Sequence, residues 1–281
     1  MPIENLLVNK VAAVKEVRQA AEYQKKKQAC ILTGLAGSSK PVFFAAADKL
    51  LGGKGSMAFI TASREEIRTY RRELNYLYPD LPMQELYPVS LPRVQADTQS
   101  LELQAGRAAA LRFLSGEERG IVFITAEALQ QKQLRPSGMS GKALQLAVGE
   151  EHEQRNIAAA LLDLGYERTE QVDALGQFCL RGDILDVYPI NSSTAVRIEW
   201  FDNELDAMRS FDVDTQRSLQ TLTSIKIAPL KVDESFSYDA NIFEYCAADT
   251  MVVVDEPVHV FSMLELSLIH ISEPTRLRCI S

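Results

Sequence analysis

Between Met1 and Gln28, Leu6, Leu7, Val11, Val14 and Val17 recur among polar residues at helical intervals, which predicts an amphipathic helix. A five-residue apolar run, Ala29-Cys30-Ile31-Leu32-Thr33, predicts a short buried strand, and Pro41 to Leu51 predicts the helix that follows it. Met57 to Thr61 reads as a second strand. Ser63-Arg64-Glu65-Glu66 then opens a helix with a capping pattern, serine at the cap and glutamate three residues on. Gln99 to Leu114 forms another helical stretch and Gly120 to Thr125 another buried strand. Strands alternating with helices imply a parallel sheet of the α/β class.

The pattern changes after about Lys132. Pro136-Ser137-Gly138-Met139-Ser140-Gly141 has the composition of a linker. Beyond it come one helix, Glu153 to Leu164, and closely spaced strands at Gln177 to Leu180, Ile184 to Tyr188, Ala195 to Phe201 and Ala207 to Phe211. Polar turns such as Arg181-Gly182-Asp183 and Asp202-Asn203-Glu204 separate them, so this region predicts a second, antiparallel-rich α+β domain. Thr250 to Val254 is again a short apolar strand, which implies that the chain returns to the first sheet and that the second domain is an insertion.

Composition narrows the function classes. The length of 281 residues accommodates about two domains, and 46% hydrophobic with 24% charged residues is ordinary for a chain with a real core. A formal charge of −8 and a pI near 5.1 lack the basic footprint of an autonomous nucleic-acid binder. The four cysteines, Cys30, Cys179, Cys246 and Cys279, form no C-x-x-C pair, which argues against a zinc site or a disulfide framework and fits a reducing cytoplasm. His152, His259 and His270 have no ligand spacing, so neither a catalytic nor a metal site is expected. The start of the chain has no signal-peptide pattern, and no apolar run approaches the roughly twenty residues of a membrane span.

One segment carries chemistry in a damaged form. Gly34-Leu35-Ala36-Gly37-Ser38-Ser39-Lys40-Pro41 matches the phosphate-binding loop G-x-x-x-x-G-K-[ST], except that Ser39 replaces the second glycine and Pro41 the magnesium-binding hydroxyl. Ser39 adds a side chain where backbone must approach a phosphate, and Pro41 supplies neither hydroxyl nor N–H. ATP hydrolysis is therefore not expected. A plain strand-to-helix turn with Ser38 or Ser39 as cap is the competing reading. Val252-Val253-Val254-Asp255-Glu256-Pro257 has the form of a strand ending in an acidic DE box, where Asp255 and Glu256 would ordinarily hold magnesium. Solvated carboxylates at a strand end are an equally good account.

Four blocks then carry a resemblance: Gly165-Tyr166-Glu167-Arg168 through Val172, Arg181-Gly182-Asp183-Ile184-Leu185-Asp186-Val187-Tyr188-Pro189, Arg197-Ile198-Glu199-Trp200-Phe201, and Phe211-Asp212-Val213-Asp214-Thr215-Gln216-Arg217-Ser218. In this order they resemble the N-terminal, UvrB-like module of bacterial transcription-repair coupling factor, from about Leu32 to Pro257. The resemblance implies a degenerate P-loop helicase-like α/β domain with an inserted small α+β domain that binds UvrA. The expected boundaries are 1–131 for the first part, 132–212 for the insertion, 213–265 for the return, and 266–281 for a non-native tail on a chain that ends prematurely. It also implies a non-catalytic role, recruiting UvrA to stalled RNA polymerase in transcription-coupled nucleotide excision repair. Arg168 and Arg181 match positions that contact UvrA in the family, although nearby acids, Glu167, Glu170, Asp183 and Asp186, offer each an intradomain ion pair instead. RNA polymerase, double-stranded DNA, ATP and magnesium would belong to the remainder of a full-length relative. The alternative is a fragment of a UvrB-like ATP-dependent DNA-repair helicase. Against it stand the damaged loop and the stretch from Leu86 to Arg112, where Tyr87 is the only aromatic available to stack on bases.

Overall fold

The computed structural model describes residues 3–86, 98–134, 143–230 and 238–272. In chain order its first elements are α1 (Ile3–Ala12), α2 (Lys15–Lys25), α3 (Ser39–Leu50), β1 (Met57–Thr61), α4 (Arg64–Leu77), β2 (Met83–Leu86), α5 (Thr98–Ser115), β3 (Ile121–Thr125) and α6 (Ala126–Leu129). There follow β4 (Gln133–Leu134), β5 (Leu144–Ala147), α7 (Gln154–Asp163), β6 (Glu167–Arg168), β7 (Gln177–Arg181), β8 (Ile184–Val187), β9 (Ala195–Phe201) and β10 (Glu204–Phe211). The last are β11 (Ser218–Leu222), β12 (Ser224–Ile227), β13 (Tyr238–Ala240), β14 (Met251–Val254) and α8 (Pro257–Ser272). The chain divides into two compact units, one of residues 1–90, 110–131 and 245–281, the other of residues 91–109 and 132–244.

The first unit is built on a parallel four-stranded sheet of order β14-β1-β3-β2. Every residue of β1 and β3 is buried, as their unbroken apolar runs predict for strands covered on both faces. Phe59 of β1 lies at the centre, with ring centroids 5.5 Å from Phe44, 5.3 Å from Tyr70 and 5.8 Å from Phe123. The capping box opens α4 as its sequence indicates: Ser63 accepts from the Glu66 N–H and the Glu66 carboxylate accepts from the Ser63 N–H. The strand expected at Ala29–Thr33 does not form, and Ile31 is 90% exposed. Both sides of β1 are taken by β14 and β3, so the early apolar run has no place beside it.

The second unit carries an antiparallel sheet of order β11-β10-β9-β8-β7 with β6 added in parallel at the far edge. Alternation along the strands gives it two faces. One packs Phe178, Leu185, Val187, Ile198, Trp200 and Met208 against α7 residues Ile157 and Leu161. The other is largely polar, apart from a small buried cluster of Val172, Cys179, Ala195 and Phe211.

Three boundaries differ from expectation. β11 pairs with β10, so the second unit continues beyond residue 212 to Glu244, and the chain rejoins the first sheet at β14. Residues 98–109, in α5, also belong to the second unit. α8 runs on to Ser272, past residue 266 where the tail was expected to start. The linker at 136–141, Tyr87 and residues 273–281 lie outside the described residues.

Candidate functional site

The remnant phosphate loop sits at the start of α3. Gly34 and Gly37 adopt φ of 83° and 51°, the left-handed region such a loop needs. Several of its backbone groups are bonded within the loop itself. The Ser39 hydroxyl accepts the Ala36 N–H at 2.9 Å and donates to the Ala36 carbonyl at 2.7 Å. The Ser39 and Lys40 N–H groups turn back to the carbonyls of Ala36 and Gly37, both at 3.2 Å. The Ser38 hydroxyl donates to Glu73 at 2.8 Å, which places a carboxylate beside the helix start. The Ala36, Ser39 and Lys40 N–H groups are thus occupied within the loop, and the Glu73 carboxylate beside the helix start opposes a bound anion.

Lys40 does not point into an open cradle. Its ammonium donates to Asp255 Oδ1 at 2.7 Å and to Glu256 Oε1 at 2.9 Å. The parallel register makes this possible: Ile60 of β1 lies beside Val254 of β14, and the Asp255 N–H donates to the Ile60 carbonyl. Partial burial opposes the ammonium, but the hydrogen bonds it donates to Asp255 and Glu256, with their charge, outweigh it and raise the Lys40 pKa. The same hydrogen bond and charge hold Glu256 below the usual carboxylate range. Tyr70 is buried next to this cluster. Burial first, then the Asp255 charge, pushes its phenol pKa far up, and its hydroxyl makes no hydrogen bond of normal geometry among the described residues. The two halves of the expected ATP site therefore meet, and they neutralise each other.

In the second unit the polar face of the sheet is organised by Asp186, which is 2% exposed. Arg197 grips it in bidentate fashion, Nε to Oδ1 at 2.7 Å and Nη2 to Oδ2 at 2.8 Å. Arg181 adds a third bond, Nη2 to Oδ2 at 3.2 Å. The β8–β9 register places Asp186 opposite Arg197, and the β7–β8 register places it opposite Cys179, two residues from Arg181. Arg197 also bonds Gln216 and lies over the Phe211 ring at 4.7 Å. The Asp186 hydrogen bonds and charge raise its pKa against the opposing effect of burial. Next along the face, Arg209 donates to both oxygens of Glu199 at 2.8 Å.

These contacts sort the arginines. Arg181 takes the intradomain pair that its sequence neighbours allow, yet its side chain remains 54% exposed. The two-residue turn after it places Gly182 at φ 57°, which suits a tight hairpin. Strands β6 and β7 are neighbours, but the register pairs Arg168 with Phe178, and alternation carries it to the side of Tyr166 and Phe178. Arg168 and Arg181 therefore do not share a face. Sequence reasoning named Asp186 only as one of several nearby acids; its role as the hub depends on the β8–β9 pairing, which no local pattern encodes.

Residues 144–232 match the family described as the UvrB interaction domain, a span within the second unit. The chain is 36% identical over 203 residues to the transcription-repair-coupling factor of Bacillus subtilis (strain 168), covering 72% of this chain and 17% of that protein. It is 32% identical over 202 residues to the namesake from Staphylococcus haemolyticus (strain JCSC1435), covering 71% and 17%. With that of Escherichia coli (strain K12) it is 28% identical over 163 residues, covering 58% and 14%. The chain thus spans about a sixth of the length of the first of these relatives. A UvrB interaction domain at its centre, and this similarity over most of its length, make it an N-terminal module of the transcription-repair-coupling-factor kind.

Proposed function

We propose that this chain is a non-catalytic protein-interaction module that binds UvrA through its second unit. In a full-length relative it would bring UvrA to stalled RNA polymerase during transcription-coupled repair, in the cytoplasm. The observation that carries the proposal is Arg181: a half-exposed guanidinium on the polar face of the domain that matches the UvrB interaction family, fixed by Asp186 with further donors turned to solvent. Arg168, at the sheet edge, contributes less. The first unit serves as a degenerate helicase-like support into which the second is inserted. Its Lys40, Asp255 and Glu256 are engaged with one another, which supports a role without ATP or magnesium. RNA polymerase, double-stranded DNA and nucleotide belong to other parts of the longer relatives.

Calorimetric titration of the chain into UvrA, with an Arg181→Ala variant and an ATP titration alongside, tests this. Binding that Arg181→Ala weakens by about tenfold or more, with no nucleotide signal, is the expected result. Absence of UvrA binding together with magnesium-dependent ATP binding would overturn it.

A further inference from the structure

We infer that residues 28–34 form a strap poised to close over an apolar cavity in the first unit, with Ile31 as the side chain that closure buries. The run Ala29-Cys30-Ile31-Leu32-Thr33 has the composition of a buried strand, yet Ile31 is 90% exposed. From Ala29 to Leu35 no backbone hydrogen bond is made among the described residues. The segment is held at its ends instead. On one side the Gln28 N–H donates to the Tyr23 carbonyl at 2.9 Å, and Gln24 Nε2 donates to the Thr250 carbonyl at 3.2 Å. On the other, the Ser39 and Lys40 N–H groups are bonded within the remnant loop and the Lys40 ammonium is bonded to Asp255. Each end also carries a joint. Lys27 lies at φ 56°, a region that a residue with a side chain occupies under strain. Gly34 lies at φ 83° with nothing within 4 Å of where a Cβ would stand, so the chain can swivel there without a clash.

The strap and the helices α1, α2 and α3 together line a cavity of about 960 Å³, whose walls include Val14, Val17, Tyr23, Val42 and Phe43. The Ser38 and Ser39 hydroxyls on its lining are already bonded to Glu73 and Ala36, so the cavity chiefly offers burial of apolar surface. An unfilled apolar cavity is unfavourable in proportion to its volume, and an isoleucine left in water forgoes the burial it would gain beside it. One movement removes both penalties. It breaks no backbone hydrogen bond, because the strap makes none among the described residues, and it orders only a short segment already fixed at both ends. That tether is also why the strap itself is the occupant: its effective concentration at the cavity exceeds that of any free apolar ligand. Rotation at Lys27 and Gly34 carries Ile31 onto the α2 and α3 walls. The open and closed positions form a two-state device, and Cys30, exposed beside Ile31 and itself on the cavity lining, reports which state is populated.

The test is the rate of Cys30 alkylation by iodoacetamide, read by peptide mass spectrometry in the full chain and in a free peptide of residues 25–33, which has the same neighbouring lysines. Ile31→Ser removes the group that closure buries, at a position where the open form has no packing to lose. Val42→Phe fills the cavity from α3. Melts followed by circular dichroism establish that each variant is folded. In the parent chain Cys30 is expected to react about tenfold or more slowly than in the peptide, a closed population of about nine-tenths. Ile31→Ser and Val42→Phe should each bring the rate to within about threefold of the peptide. Reaction of the parent at the peptide's rate would show that the strap stays open and would overturn the inference. Protection that survives Ile31→Ser would overturn it equally, since closure would then owe nothing to that side chain.

Discussion

Replacing Asp186 by alanine separates what holds the second unit together from what faces a partner. Asp186 is almost fully buried and accepts bonds at 2.7, 2.8 and 3.2 Å from two arginines. Removing one member of a buried ion pair costs roughly 3–5 kcal/mol, because the remaining charge is left uncompensated. Arg197 is 21% exposed and keeps Gln216 and the Phe211 ring, so the low end applies, about 3 kcal/mol. Arg181→Ala should cost below about 1 kcal/mol, since its half-exposed side chain makes the longest of the three bonds. The protein supplies its own reporter. Trp200 is the only tryptophan, lies in the second unit's core and donates its indole N–H to the His152 carbonyl at 2.9 Å. Denaturant unfolding followed by tryptophan fluorescence therefore reads this unit alone, and the midpoint should fall markedly for Asp186→Ala and little for Arg181→Ala. A loss below about 1 kcal/mol for Asp186→Ala, or equal losses for both variants, would refute the assignment of Asp186 as the structural hub.

Other perturbations test the first unit. Gly55→Ala would place a Cβ 2.3 Å from the Asp249 carbonyl oxygen, a backbone atom, so a loss of about 1–3 kcal/mol is expected in a thermal melt followed by circular dichroism; an unchanged melt would refute it. Lys40→Met strands Asp255, whose side chain is 12% exposed, and should cost about 2 kcal/mol in urea unfolding followed by circular dichroism. The raised Lys40 pKa adds stability that is fully present below 10.5 and is lost as pH rises through the higher folded value, so stability measured from pH 9 upward should fall less steeply in Lys40→Met. The lowered Glu256 pKa acts in the opposite sense: its contribution is present above 4.5 and is lost as pH falls through the folded value, so Glu256→Gln should flatten the acid limb of the same titration. Restoring the motif with Ser39→Gly and Pro41→Thr should not restore ATP binding, because Lys40 remains on its two carboxylates and Glu73 remains at the helix start; a magnesium-dependent signal from a fluorescent ATP analogue would contradict that.

Elements whose physics is local were legible in the sequence. β1, β3 and β9 announce themselves as apolar or alternating runs between turns, and the Ser63–Glu66 box fixes the start of α4. Ala29–Thr33 has the same composition as those strands yet stays outside the sheet; the place beside β1 is taken by β14, more than two hundred residues away, which no local pattern reveals. β11, Ser-Leu-Gln-Thr-Leu, is the converse. It is exposed over nearly its whole length and lacks a buried face to impose alternation, so the sequence pattern ends the second unit at residue 212. The site divides in the same way. The damage to the loop follows from Ser39 and Pro41 alone, whereas the Lys40 pairing and the Asp186 hub depend on strand register.

The placement of recognition in the second unit, as proposed, has a physical basis in how Lys40 and Arg181 are held. Both residues are cations at strand or helix ends, and both meet carboxylates of their own chain. Two donors of the Lys40 ammonium are engaged by two carboxylates, its side chain is 18% exposed, and the positive charge is more than balanced. Arg181 makes one long bond to a carboxylate that Arg197 already grips from two directions, and it is three times as exposed. A guanidinium offers five donors in a rigid fork, so most of that fork remains available for a planar acceptor on another surface. The ion pair at Asp186 thus orients Arg181 without consuming it, while the pair at Lys40 closes the site it occupies. Exchanging one cation for the other at each position tests that difference: Lys40→Arg should leave nucleotide binding absent, whereas Arg181→Lys, which keeps the charge but loses the fork, should weaken UvrA binding nearly as much as alanine. Full binding by Arg181→Lys would show that charge alone is recognised there and would refute the argument from geometry.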